Sequence, residues 1–229
     1  MRGRLSRGLK ILLVLPLLAA RGASAQGNPA TPAETGLKLT FETNAVVATG
    51  VPPGGQVVWF AVSREIAERT ATLVRREEIA TDDDKDGAVR FELDRPVPFQ
   101  SIWVAVDLAS GTAAMATPEG FPLRRVELPG RSTSRGGGRP DWVEDDRGFV
   151  EILLVRPGRG AWGATVGDGG QADDDGAYDG RLMAPLDQMR GIGAAPPAAP
   201  EHFSPRDVVV VIDPNRMEVG LRQLVEVQP

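Results

Sequence analysis

The chain has no cysteine, one histidine and one tyrosine in 229 residues, and aromatic residues make up only 5% of it. Without cysteine there can be no disulfide, no thiolate nucleophile and no lipid anchor attached through a thiol. Zinc sites assembled from Cys and His are excluded by count. The one histidine, His202, sits in a loop between Pro200 and Pro205, where an imidazole is ordinarily solvated rather than poised as a general base. Neither a G-x-S-x-G nucleophile elbow nor a P-loop lysine motif is present. Acids are plentiful, so a glycosidase-like carboxylate pair stays open, although nothing in the order of residues singles one out.

No apolar run reaches the ~18 residues that a membrane-spanning helix needs. The longest, Ile11 to Ala20, follows the basic residues Arg2, Arg4, Arg7 and Lys10 and precedes Ala23-Ser24-Ala25. That order is the layout of a secretory signal over residues 1–25, so the expected mature chain starts at Gln26 and is exported, to a periplasmic or extracellular location. Cleavage would remove five of the 26 basic residues and none of the 31 acidic ones, taking the net charge from −5 to −10. An acidic chain of this kind disfavours nucleic acid and anionic membrane surfaces as partners and favours cations. The expected partner is a protein or a glycan.

The rest of the chain reads as short strands. Residues 26–35 have no periodicity and form an expected disordered leader. Leu37, Leu39 and Phe41 alternate with polar residues, and Ala45 to Thr49 is a second extended segment. Gln56 to Ser63 is apolar on both faces, as in a central strand. Residues 64–80 are ambiguous, and the reading adopted is a short helical or irregular turn leading into a strand. Ala88 to Leu93, Ser101 to Leu108, Ala113 to Thr117 and Leu123 to Leu128 follow, separated by proline and glycine. Seven or so such strands predict an all-β, immunoglobulin-like β-sandwich over residues 36–129. The segment 130–140, Gly-Arg-Ser-Thr-Ser-Arg-Gly-Gly-Gly-Arg-Pro, has nothing to bury and reads as a linker. Strands then recur at Phe149 to Val155, Ala161 to Val166, Asp207 to Asp213 and Met217 to Val227, predicting a second sandwich over residues 141–229. An acidic turn ending in Asp86-Gly87 and another ending in Asp179-Gly180 each lead to a valine-rich strand closing on aspartate, Asp107 and Asp213. The expectation is therefore two tandem domains related as a repeat.

Those two turns carry the candidate chemistry. Asp82, Asp84, Asp86 and Gly87 place carboxylates at alternate positions of a tight bend, and Asp173, Asp175 and Asp179 do so again after Gln171. Calcium needs several hard oxygen ligands on such a backbone, with glycine at the sharpest bend. The first turn resembles the opening half of an EF-hand or dockerin-type calcium loop, and the second resembles the D-x-D-x-D-G-x-x-D loop of integrin-type propeller repeats. The first resemblance stops where the family's bidentate glutamate belongs, since this chain has Leu93 there, flanked by Glu92 and Asp94. Ordinary hairpin turns also favour Asp and Gly, but several carboxylates within six residues repel one another unless something neutralises them.

Gly158, Gly160 and Gly163 match G-x-G-x-x-G, but the residues that follow cannot make the helix a dinucleotide site requires, so the match is read as a turn. Trp59 and Trp103 lie within strong strands and belong to the core, while Trp142 and Trp162 flank turns and are the stacking candidates of a carbohydrate-binding module. The resulting expectation is an exported, non-enzymatic, calcium-stabilised binding or structural module. Its rivals are a carbohydrate-binding module and a carboxylate-dependent hydrolase.

Overall fold

The computed structural model describes residues 36–67, 70–126, 149–167, 186–214 and 217–224. The leader, the linker and the second acidic turn, with Asp173, Asp175 and Asp179, lie outside the described residues. Thirteen strands are present among those described: β1 (Lys38–Phe41), β2 (Ala45–Thr49), β3 (Gln56–Ala67), β4 (Thr70–Thr81), β5 (Ala88–Glu92), β6 (Ser101–Asp107), β7 (Ala113–Ala116), β8 (Arg124–Val126), β9 (Phe149–Arg156), β10 (Gly160–Gly167), β11 (Arg190–Gly191), β12 (Val208–Asp213) and β13 (Glu218–Gln223). The only helical element among them is one 3-10 turn, Leu186–Gln188. The all-β class expected from the sequence therefore holds.

The strands form three sheets. An outer sheet has the order β1-β2-β5, a middle sheet β4-β3-β6-β7, and a third sheet β11-β10-β9-β12-β13-β8. Strand β3 explains the stacking. Its even positions Val58, Phe60 and Val62 pair across to Val106, Val104 and Ile102 of β6, and this face packs on Leu153, Val155, Val208, Val210 and Ile212 of the third sheet. The odd positions Val57, Trp59 and Ala61 join Trp103 and Ala105 against Val46, Ala48, Val89 and Phe91 of the outer sheet. A strand apolar on both faces is thus buried on both, as its sequence predicts. Trp59, Phe91 and Trp103 meet edge to face, with centroids 5.3–6.4 Å apart, an arrangement worth about 0.5–1.5 kcal/mol per pair beyond the area buried.

Over residues 64–80 the expected strand is present as β4, but the short helical or irregular turn expected before it is replaced, among the described residues, by an extension of β3 to Ala67. Strands β3 and β4 run as one long antiparallel hairpin paired from Gln56↔Thr81 to Ala67↔Thr70, and β4 is an edge strand of its sheet. Its run of charges, Arg75 to Glu78, obscures the strand period in the sequence. On an edge such charges are tolerated and discourage pairing with other chains.

The middle and third sheets share a wiring pattern. In the middle sheet a hairpin, β3-β4, lies beside a second hairpin, β6-β7, with β3 and β6 adjacent. In the third sheet β9-β10 and β12-β13 repeat that order, with β9 and β12 adjacent. The far face of the third sheet, Val150, Ile152, Leu154 and Trp162, is covered by Leu186, Met189 and Phe203 rather than by another sheet. Arg156 closes that end: its Nε and Nη2 each lie 2.9 Å from the carboxylate of the fully buried Asp207.

Candidate metal centre

Asp82 follows β4 directly and so stands where the middle sheet hands the chain to β5 of the outer sheet. Its N–H donates to the Gly55 carbonyl at 2.9 Å, and its side chain is 1% exposed. Oδ2 accepts from the Gly54 and Gly87 N–H groups at 3.3 and 3.2 Å, whereas the buried Oδ1 has no hydrogen-bond partner. The two turns around it come from Pro52–Gly55 and from Asp84–Gly87. In the latter, Asp84 Oδ1 accepts from the Asp86 N–H at 3.4 Å and Asp86 Oδ1 from the Ala88 N–H at 2.8 Å, each side chain bending the backbone two residues ahead. Gly87, at φ 83°, takes a conformation that L-residues adopt only at a cost. Its carbonyl is then turned to accept from the N–H groups of Gly50 and Val51 at 3.0 and 3.1 Å.

One oxygen from each of Asp82, Asp84 and Asp86 lies within 4.8 Å of the others, with Asp82 buried and the other two exposed. Calcium–oxygen distances of about 2.3–2.6 Å allow ligands on opposite sides of one ion to stand ~4.8 Å apart, so this cluster could hold a metal ion. A buried carboxylate oxygen without a donor costs about 1–3 kcal/mol, and a cation is the partner that would relieve both it and the repulsion among the three charges. Glu92 and Asp94 do not join the cluster. Glu92 is paired with Arg90 on the exposed face of β5, and Leu93 packs against the core, so the resemblance to an EF-hand loop ends after its first half.

The other residues singled out by sequence take structural places. Gly158 and Gly160 form the tight turn between β9 and β10, and the segment that follows them, to Gly167, is strand rather than helix. His202 is exposed and contributes its backbone carbonyl to Arg156 Nη2 at 2.8 Å. Trp59 and Trp103 are fully buried. Trp162, expected beside a turn as a stacking platform, is instead 3% exposed, and its indole N–H is directed at the Pro197 and Ala198 carbonyls, both at 3.1 Å. Trp142 lies outside the described residues.

Two acids do face each other across the middle and third sheets, but a guanidinium lies between them. Arg75 Nη1 donates to Glu151 Oε2 at 3.1 Å and to Thr165 Oγ1 at 3.0 Å, while its Nη2 reaches Glu77 at 3.1–3.2 Å. Gly163 makes room for this group, because a Cβ there would stand 2.5 Å from Glu77 Oε2. The geometry is that of a clamp between sheets. Sequence reading missed it, since Arg75 and Glu151 are 76 positions apart and only the packing joins them. The chain matches no family model, no curated protein and no solved structure.

Proposed function

We propose that this chain is an exported, non-enzymatic β-sandwich protein, a binding or structural module stabilised by calcium at Asp82, Asp84 and Asp86. The observation that carries the reading is the Asp82 carboxylate: buried, supplied with donors on one oxygen only, and grouped with two further carboxylates inside 4.8 Å. Calcium suits it better than magnesium. Three carboxylates on one loop with an exposed side leave room for a flexible shell of six to eight oxygens completed by water, whereas magnesium demands near-octahedral geometry. The ion would act by rigidification, fixing the junction between the middle and outer sheets, because the same turn is bonded to Gly50, Val51 and Gly54.

In this reading the outer and middle sheets make an immunoglobulin-like sandwich. The third sheet is a second copy of the middle one, as the shared strand order supports.

Calorimetric calcium titration of the chain from Gln26 onward tests the proposal, alongside thermal melts in calcium and in chelator. Stoichiometric heat that an Asp84→Ala, Asp86→Ala double variant loses, with a higher melting temperature in calcium, is the expected result. Neither heat nor a shifted melt would make the turn an ordinary hairpin.

A further inference from the structure

The end of the middle sheet remote from the acidic turn carries a second site. From Gln56, beside Asp82, to Ser63, the last residue of β3 paired with β6, is seven residues, or about 23 Å along a strand. Beyond Ser63 the β3–β4 hairpin continues alone. Between it and the loop before β6 lies an open cleft of about 410 Å³ lined by Arg64, Glu65, Arg95, Pro96, Phe99 and Gln100 among others, within the size range of small-ligand sites.

Three features of this cleft run against the rest of the surface. The first is apolar exposure. Phe99 is 56% exposed, and the only other large apolar side chain exposed among the described residues, Leu73 at 37%, is the cross-strand partner of Arg64. Phe99 is not loose: it packs edge to face on Phe121 at 5.6 Å and directly follows Pro98 in sequence, so its ring is a supported platform. The second is charge. In a chain of net charge −5, Arg64, Arg76 and Arg95 gather around one acid, Glu65. Arg76 and Arg95 pair with Glu65, whereas no side-chain hydrogen bond or ion pair engages Arg64 among the described residues. The third is the mixture of donors and acceptors. Guanidinium groups only donate, but Gln100 does both, and Glu65 Oε2 takes Arg95 alone and keeps a free lone pair.

We propose that this cleft binds an acidic saccharide, a uronate unit whose carboxylate pairs with Arg64 and whose apolar ring face lies against Phe99. A carboxylate matches the guanidinium fork in geometry and charge. A sugar ring offers an apolar face for the aromatic platform, together with hydroxyls that both donate, to Glu65, and accept, from Gln100 and Arg95. An acidic peptide segment would use the donors but leave the Glu65 acceptor facing its own charge. The site is independent of any metal at Asp82.

Titration of the chain with trigalacturonate in chelator, followed by calorimetry and by amide chemical shifts, tests this assignment. Shifts centred on residues 64–65 and 95–100 are expected, with affinity at least tenfold weaker for the fully methyl-esterified trisaccharide and falling with salt. Arg64→Ala, at a half-buried position, and Phe99→Ala, at an exposed one, should each weaken binding at least tenfold while leaving a cooperative thermal melt. Absence of shifts at millimolar trigalacturonate would overturn the proposal, as would binding that survives both substitutions. Equal binding of tri-glutamate with the same dependence on Arg64 and Phe99 would replace the saccharide by an acidic peptide and also overturn it.

Discussion

Replacing Asp82 by asparagine separates the two roles of its carboxylate. Asparagine is isosteric, and its carbonyl oxygen can keep both backbone donors, Gly54 and Gly87. The amide NH₂ then takes the place of the orphaned Oδ1, and an acceptor facing two other acids becomes a donor. Relief of a buried unsatisfied oxygen is worth about 1–3 kcal/mol. Repulsion between two carboxylates no more than 4.8 Å apart is at least about 0.9 kcal/mol at the dielectric constant of water and at least about 3.5 at an effective value of 20. Part of either gain offsets the strain of reorienting the amide, so a net stabilisation of about 1–2 kcal/mol is expected in chelator. For a domain of this size that raises the melting temperature by roughly 2–8 °C. In calcium at a hundred times the dissociation constant, the parent gains about 2.7 kcal/mol by linkage. The variant, lacking the buried anionic ligand, gains much less. Differential scanning calorimetry of both proteins in both buffers should therefore show the two melting temperatures changing order. A variant that melts below the parent in chelator would refute the account of the orphaned oxygen; an order unchanged by calcium would refute the ion.

Arg156→Ala should leave the fully buried Asp207 without its bidentate partner and cost about 3–5 kcal/mol, measured as a lowered urea midpoint with unchanged slope. Acid should weaken the cleft end of the middle sheet. Burial alone would raise the pKa of Glu65, but hydrogen bonds from Arg76 and Ser63 and the charges of Arg76 and Arg95 outweigh it and hold the carboxyl below its ordinary value. A depressed folded pKa contributes stability that is present above the unfolded value, about 4.3, and is lost as pH falls through the folded one. A Glu65→Gln variant should accordingly lose part of the parent's stability decline below pH ~4.3 in denaturant titrations across that range.

The sequence is legible where a residue's neighbours along the chain decide its fate. Short apolar, β-forming runs bounded by turn residues placed β2, β5, β6, β9 and β12 to within a residue or two, and the two-sided apolar pattern of Gln56 to Ser63 marked the strand with both faces covered. Aspartates at alternate positions before Gly87 located the candidate metal turn. What they did not reveal is which carboxylate is buried, because the cover over Asp82 comes from the Pro52–Gly55 turn, 28 positions away from Gly54 to Asp82. The same limit misplaced Trp162. Its surroundings in sequence are a glycine-rich turn, yet it is roofed by Pro197 and Ala198, 35 and 36 residues on. The β4 charges failed differently: Arg75, Arg76, Glu77 and Glu78 point alternately to two faces, and each finds a partner or solvent there, so no apolar period remains to be read.

The middle sheet lies between coverings contributed by different stretches of the chain, and this has a consequence for biogenesis. Its outer-sheet cover, β1, β2 and β5, is interleaved with it in the first half, but Val58, Phe60, Val62 and Val104 are covered by strands from Phe149 onward. A chain emerging N-terminus first therefore completes one side of that sheet early and presents the other as a broad apolar face until strands from the last third of the sequence arrive. Nascent intermediates of this kind aggregate readily, so folding of this protein should depend on a holding chaperone, and C-terminal truncations should be found in the insoluble fraction rather than as smaller folded modules.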